Sequence, residues 1–313
     1  MSDRLTEEYR ALRQGRGARR RRRDLLRVGG PDAAEYLQGQ CSQDLVALAV
    51  GSPADSLVLT PEGKVTALVR VVRIGDEAFV LDTDAGAGPA LAARLTRFRL
   101  RAKLSVEPID WQVVAMRGLR VDPAVDVEGD PLRLPFAWHG FTGVDLLFRG
   151  EAPADPPPGY RWCGDDAWEA CRIEAGVPRT GAELDERTIP AEVPGLLERT
   201  VSFTKGCYTG QELVARLDAR GNRVARRLVG VVAAGPTEAA DPGAAAAALA
   251  GAVLQVDGKE VGRCTSVAWS PESPGVVALA YLHRSVEVPA PVGLVAPGDG
   301  RVHVGEVRSL PLR

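Results

Sequence analysis

The stretch VSFTKGCYTGQELVAR, Val201 to Arg216, sets a lone cysteine between a lysine and the first turn of a helix. Val201 to Phe203 reads as the end of a strand, and Thr204-Lys205-Gly206 as a turn. Thr209-Gly210-Gln211-Glu212 fits a capping box, with a hydroxyl at the N-cap and a carboxylate three residues on. Leu213, Val214 and Leu217 give the following helix its apolar face. Cys207 is therefore expected just outside a helix N-terminus, where unpaired N–H groups carry partial positive charge. Lys205 adds a nearby cation. Both favour the thiolate, the form that attacks electrophiles and binds soft metals, while Glu212 opposes it. Locally, a reactive thiol and a small buried apolar cysteine fit these residues about equally well.

The whole chain sets bounds on that choice. Its 313 residues suffice for two or three domains, each with its own core. A hydrophobic content of 45% and a charged content of 26% are ordinary for a soluble globular protein. No apolar run approaches the roughly 20 residues that span a bilayer. The opening MSDRLTEEYRALRQ lacks the apolar segment of a secretory signal. The five cysteines (Cys41, Cys163, Cys171, Cys207, Cys264) form no CxxC and no zinc-type spacing with histidine. Free thiols in a reducing cytoplasm, with no metal site, are the simplest expectation.

Charge is uneven. Residues 1–23 hold nine arginines and three acids, a net of +6. The total is −2, so residues 24–313 carry −8. The run Arg19 to Arg23 could meet a polyanion. However, arginine outnumbers lysine 35 to four, a bias that makes such runs common. Residues 1–23 are therefore read as a basic, disordered, solvated arm.

After the arm, Leu25 to Val28 reads as a strand, and Asp32-Ala33-Ala34-Glu35 opens a helix. Strands at Leu57 to Leu59, Val65 to Ile74 and Ala78 to Leu81 are separated by Pro61-Glu62-Gly63-Lys64 and Gly75-Asp76 turns. Pro89 to Phe98 is helical, and Ala102 to Val106 returns as a strand. Strands mixed with single helices imply an α+β region with antiparallel sheet. A second helix follows in GDDAWEACRIEAGVP, capped by Asp165 or Asp166 and stopped by Gly176. The Ala/Gly/Pro-rich segment Ala233 to Gly251 reads as a surface loop. Short strands from Arg226 to Val307, with Asp257-Gly258 and Asp299-Gly300 turns, suggest a small antiparallel barrel or sandwich.

These segments resemble a known family, the YgfZ branch of the glycine-cleavage T-protein (aminomethyltransferase) superfamily. The resemblance is carried by LLRVGGPDAAEYLQGQCSQDL (25–45), LTPEGKVTAL (59–68), RFRLRAKLSVEP (97–108), RIEAGVPRTGAELDERTIPAE (172–192), KGCYTGQELVAR (205–216) and VGRCTSVAWSP (261–271). KGCYTGQE, Lys205 to Glu212, is the most specific of them. The resemblance implies a multi-lobe antiparallel-sheet fold around a central opening that accepts tetrahydrofolate. It implies a folate-binding region at 24–222, of two intertwined α+β lobes, and a C-terminal β-barrel at 223–313.

It also nominates residues. A pterin edge offers two parallel donors that one carboxylate can accept together. The glutamate of the family's RxEAG motif falls on Glu174, which sits where a helix dipole disfavours negative charge. An exposed helix-end glutamate is the plain alternative. Arg216, Arg223, Arg226 and Arg227 are the cations available to folate's glutamate tail. Asp44 matches an aspartate kept after the first helix and is expected at the folate opening, or else caps a turn. Tyr208 and Gln211 are further folate-side candidates, and Cys207 with Lys205 form the reactive pair.

One departure matters. T-proteins carry an aspartate shortly after the glycine in the equivalent of PEGKVTAL, where this chain has Val65, Thr66 and Ala67. Aminomethyl transfer is therefore not expected. The implied function is a tetrahydrofolate-binding accessory protein for iron–sulfur cluster assembly or repair. Its expected partners are the assembly machinery or client enzymes, and its effect on tRNA modification is indirect. A folate-dependent one-carbon transferase or demethylase is the alternative. Direct RNA recognition is weakest, because the body is acidic and lacks an RNA-binding motif.

Overall fold

The chain starts with order rather than with a disordered arm. In the computed structural model, which describes residues 2–119, 121–234, 241–273 and 275–312, α1 (Ser2–Gln14) buries Tyr9, Ala11 and Leu12. β1 (Gly17–Arg21) follows, and a single residue, Arg22, separates it from β2 (Arg23–Gly29). The expected arm is corrected on this point. Its arginines hide an apolar stripe of Tyr9, Leu12 and Ala18, and that stripe docks the segment.

The next elements are α2 (Ala33–Gln40), β3 (Pro53–Leu59), β4 (Val65–Gly75), β5 (Ala78–Asp84), α3 (Gly88–Phe98) and β6 (Ser105–Ile109). With β2 they build an antiparallel sheet of order β3-β4-β5-β2-β6, whose apolar face packs on α2 and α3. β7 (Gln112–Arg117), β8 (Leu132–Trp138), β9 (Phe141–Phe148) and β10 (Arg161–Trp162) form the second sheet, of order β10-β1-β7-β9-β8. β1 thus belongs to one sheet and β2 to the other, so the arginine run carries the chain from the second sheet to the first. Leu25, Val72 and Val80 from the first sheet meet Val113, Leu134 and Leu147 from the second.

α4 (Asp165–Glu174), α5 (Leu196–Thr200) and α6 (Gln211–Asp218) lead to β11 (Arg226–Ala233). α7 (Pro242–Ala248), β12 (Val253–Val256), β13 (Lys259–Ser270), β14 (Gly275–His283), β15 (Ala290–Val295) and β16 (Val302–Arg308) complete the chain. β11, β14, β13, β12, β15 and β16 close into an antiparallel barrel. β14 is buried on both faces, which explains its unbroken apolar run. Val276, Ala278, Ala280 and Leu282 fill the barrel, while Val277, Leu279 and Tyr281 pack toward α4. The α+β reading with a terminal barrel therefore holds.

Local expectations fared unevenly. Gly176 stops α4 at φ +71°, as its position implied. Asp165 and Asp166 occupy the first turn of α4, and Gly164 is the N-cap. The strand expected at Ala102 to Val106 runs instead over Ser105–Ile109. Part of the segment taken as a loop, Ala233 to Gly251, is α7, capped by Asp241 accepting from the Ala244 N–H at 3.3 Å. Residues 235–240 of that segment lie outside the described residues. Among the described residues, no helix is long and apolar enough to cross a membrane.

Candidate functional site

The arginine run lines a broad concavity. This cavity, of about 790 Å³, is walled by all of Arg19 to Arg23, by Arg70, Arg172, Arg179 and Arg199, and by four aromatic rings, Phe136, Trp138, Phe141 and Trp168. Five carboxylates share the wall: Asp55, Asp84, Asp145, Asp165 and Glu169. β1 and β2 supply the run because the chain passes there from one sheet to the other. α4 presents Asp165, Trp168, Glu169 and Arg172, one stripe at helical spacing.

Ion pairs fix most of these groups. Arg23 donates to Asp82 at 2.6 Å and also pairs with Asp84. Arg70 joins Asp82 to Asp145, which also meets Arg117 at 2.7 Å. Arg117 is fully buried, its guanidinium 3.9 Å from the Phe136 ring centre and 5.1 Å from that of Trp168. Glu169 accepts from Arg172 Nε at 2.9 Å and from Arg179 at 3.2 Å. Burial alone would raise the carboxyls of Asp84, Asp145 and Glu169. The facing arginines overcome it and hold all three below the usual carboxylate range. Among the cations, burial lowers Arg19 and Arg117 as well as Arg21. Burial, then crowding by Arg23, pushes Arg21 down to about 9, and its pairing to Asp84 is long, at 3.6 Å. Trp138 Nε1 and Thr180 Oγ1 are buried at this wall without hydrogen-bond partners among the described residues.

Glu174, the candidate for the pterin edge, does not line this cavity. It is 4% exposed, on the opposite side of α4. Its Oε1 accepts from Ser270 Oγ at 2.5 Å and its Oε2 from Tyr9 OH at 2.6 Å, while its backbone carbonyl accepts from Leu312 N–H at 2.8 Å. Glu174 therefore ties α1, the barrel and the C-terminal residues to α4. Its two carboxyl oxygens are satisfied by hydroxyl donors that the local sequence does not reveal.

The KGCYTGQE segment is a separate feature. Lys205 Nζ donates to the carbonyls of Gln38 at 2.6 Å, Cys41 at 2.7 Å and Gln43 at 2.9 Å. An ammonium has three protons, and all three are spent on the chain leaving α2. Lys205 is thus a clamp between its own loop and the chain around the end of α2, and not a cation free to serve Cys207. Burial lowers its pKa, with Cys41 and Asp44 working in the other direction. The capping box also fails to form. Gly210, at φ +83°, is the N-cap of α6 and makes no side-chain cap bond. A Cβ there would lie 2.5 Å from the Thr60 carbonyl, so glycine is required where this loop meets the Pro61–Lys64 turn.

Cys207 is exposed, and the other four cysteines are buried. Tyr208 is 7% exposed and packs in the main core, its hydroxyl pushed up to about 12 by burial. Gln211 Oε1 accepts from the Tyr208 N–H at 3.3 Å. Asp44 accepts from Gln38 Nε2 at 3.0 Å and shapes the turn after α2. Arg216 and Arg223 are exposed, Arg226 grips Glu192 through two bonds of 3.1 Å, and Arg227 donates to Val286 O at 3.1 Å. None of Asp44, Lys205, Cys207, Tyr208, Gln211, Arg216 or Arg223 lines the arginine cavity. The structure thus gathers the Lys205, Tyr208, Gln211 and Asp44 segments into one structural joint. The cavity residues that sequence reasoning missed were signalled by the helical spacing back from Arg172 and by apolar residues, Ala18 and Leu25-Leu26, on either side of the arginine run.

No family model matches the chain. Among curated proteins it is 31% identical over 271 residues to the human mitochondrial iron–sulfur cluster assembly factor IBA57, covering 77% of this chain and 71% of that protein. It is 32% identical over 202 residues to an uncharacterised protein of Haemophilus influenzae, covering 63% of this chain and 66% of the relative, just under two thirds. It is 29% identical over 222 residues to the tRNA-modifying protein YgfZ of Edwardsiella ictaluri, covering 63% and 65% respectively. The crystal structure of the glycine cleavage system aminomethyltransferase T of Bartonella henselae superposes with a TM-score of 0.75 over 99% of this chain and 89% of that one, at 20% identity. That likeness speaks for the fold.

Proposed function

Because the chain belongs to the glycine-cleavage T-protein superfamily, as a relative of the IBA57 and YgfZ proteins, we propose that it is a tetrahydrofolate-binding accessory protein of iron–sulfur cluster assembly or repair. The observation that carries the folate half is the cavity wall of nine arginines and four aromatic rings. Folate joins a flat heterocycle to a carboxylate-bearing tail, and such a wall suits both parts. Trp138 Nε1 and Thr180 Oγ1 are spare polar atoms for the heterocycle's edge. Arg179 and Arg199 each pair with one carboxylate, Glu169 and Asp55, and keep further N–H donors for the tail, while the rings exclude water around the bound group. Bound tetrahydrofolate offers ring nitrogens able to accept a one-carbon unit.

The one-carbon transferase reading is less well supported by this wall. General-base work at neutral pH needs a carboxylate with some affinity for a proton. Asp84, Asp145 and Glu169 are held by arginines in their ionised form, which makes them weak bases. Support for the assembly half comes from the names of the relatives and from Cys207, the exposed thiol on the KGCYTGQE loop. One thiolate does not hold a stable cluster by itself, so its role is transient or shared with a partner.

The test is a tetrahydrofolate titration of wild type, Arg179→Ala, Arg199→Ala and Cys207→Ser, paired with cluster-dependent enzyme activity in cells. The arginine variants bind more weakly, whereas Cys207→Ser binds normally and lowers the enzyme activity. Absence of folate binding by the wild type refutes the first half; undiminished enzyme activity in Cys207→Ser refutes the second.

A further inference from the structure

The segment RFRLRAKLSVEP (97–108) lines neither the arginine cavity nor the Cys207 loop. Residues 85–106 hold five cations, Arg94, Arg97, Arg99, Arg101 and Lys103, and no acid, in a chain of net charge −2. Two of the five have structural roles. Arg94 donates to Gln40 Oε1 at 3.0 Å and stacks 3.8 Å from the Phe98 ring centre, and Arg99 donates to the Leu104 carbonyl at 2.8 Å. Arg97, Arg101 and Lys103 are exposed, and their side chains make no hydrogen bond or ion pair among the described residues.

Leu100 stands in the middle of this turn, just past α3, 87% exposed and at φ +49°. Glycine is the usual residue in the left-handed region after a helix, because a side chain there is strained. An aliphatic group that is both strained and in water contributes nothing to the fold that glycine would not. With Phe98, 40% exposed, it makes an apolar tip ringed by cations.

This turn and the exposed thiol share a support. Arg94 reaches Gln40, the last residue of α2, while Thr209 N–H donates to the Gly39 carbonyl at 3.1 Å and Lys205 holds the carbonyls of Gln38 and Cys41. The path from Phe98 to Cys207 through these contacts is at most about 40 Å. Phe203, half exposed, lies on the same loop as the thiol.

We propose that Arg97, Leu100, Arg101 and Lys103 form a docking surface for an acidic partner protein, whose docked segment carries an aliphatic side chain, and that docking there sets the partner beside Cys207. This rests on the assembly reading of Cys207 and names the kind of partner it meets. A nucleic acid would use the cations but leave Leu100 in water, and Arg94 already covers the Phe98 ring against a base. A bilayer needs more apolar area than one leucine and one half-covered ring. An acidic protein segment with an apolar residue matches both features.

Two peptides test this on the full-length protein: one of glutamates with a leucine at every fourth position, and its counterpart with glutamines for glutamates. Each has about 15 residues, about 50 Å when extended, and so outreaches the path to the thiol. Each ends in a cysteine activated as a mixed disulfide with thionitrobenzoate. The Cys207 thiolate attacks the peptide's sulfur, a protein–peptide disulfide forms, and the coloured thionitrobenzoate anion leaves and reports the rate. Below saturation and at low salt, wild type captures the acidic peptide about tenfold faster, the effect of two or three screened ion pairs. Added salt narrows the gap.

Cys207→Ser abolishes prompt release. The ratio falls toward unity in the double variant Arg97→Ser/Arg101→Ser and is kept in Arg284→Ser, an exposed arginine just after β14. Leu100→Gly slows capture of the acidic peptide about threefold while its melting temperature holds or rises, because glycine suits the left-handed turn. Equal rates for the two peptides in wild type, or a ratio retained in the double variant, overturn the docking surface; unchanged capture in Leu100→Gly removes the leucine from it. Poly-uridylate or phosphatidylglycerol vesicles that bind wild type but not the double variant, with no preference between peptides, assign the turn to a nucleic acid or a membrane and also overturn it. No cluster enzyme enters this assay, so its failure leaves the assembly reading to be decided by Cys207→Ser in cells.

Discussion

Replacing Lys205 by methionine separates two roles for the most specific segment of the chain. The structure gives this side chain three short bonds to the carbonyls of Gln38, Cys41 and Gln43. A hydrogen bond to a charged group contributes about 2 kcal/mol net, so three come to about 6 at face value. Ordering a lysine costs about 2 kcal/mol, and water can reach part of this half-buried site. The net loss expected is therefore about 3 kcal/mol, read as a lower urea midpoint at unchanged slope. Methionine keeps the apolar length, so packing changes contribute little. Alkylation of Cys207 by iodoacetamide, followed on the same samples, should change less than threefold, because the ammonium is committed to backbone carbonyls. Unchanged stability together with alkylation slowed tenfold or more would refute this and return Lys205 to the thiol.

Two other expectations follow from the same groups. Native protein treated with iodoacetamide should take up one label, at Cys207, since Cys41, Cys163, Cys171 and Cys264 are buried and burial pushes Cys41 and Cys264 up to about 12 and Cys163 up to about 11; prompt labelling of a second thiol by peptide mass mapping would contradict it. Acid should weaken the fold through Asp84, Asp145 and Glu169, whose folded pKa values lie below their unfolded ones. Their contribution is complete above about pH 5 and drains as pH falls through about 4 toward the folded values, so a melting temperature flat down to pH 3 would count against the buried arginine–carboxylate chain.

The sequence made β4 readable because its apolar alternation is long and bounded by turn residues at both ends. The barrel strands were readable for the same reason, and Asp257-Gly258 joins β12 to β13 as expected. What escaped were features set by contacts distant in the chain. Arginine at Arg19 to Arg23 signals solvent by composition, yet β1 pairs with β7 and with β10 nearly a hundred or more residues later. Glu174 looked available because its hydroxyl partners, Tyr9 and Ser270, lie far away on either side. Thr209 looked like a cap because a capping box is a local pattern. Packing of Gly210 on Gly63 imposed a left-handed N-cap instead. The helix at Pro242–Ala248 did have a local signal, aspartate then proline ahead of an alanine run, which low complexity obscured.

The hydroxyl of Tyr9 lies 2.6 Å from Glu174 and 2.8 Å from Glu272, separated from them by 165 and 263 residues. A ribosome adding about 5–20 residues per second needs roughly 13 to 50 s to bring the second acceptor out. In the early part of that interval, until α4 is made, the apolar stripe of the first helix lacks its main neighbour. The bonds of this one hydroxyl are thus completed only in the last third of translation, however early the first helix emerges.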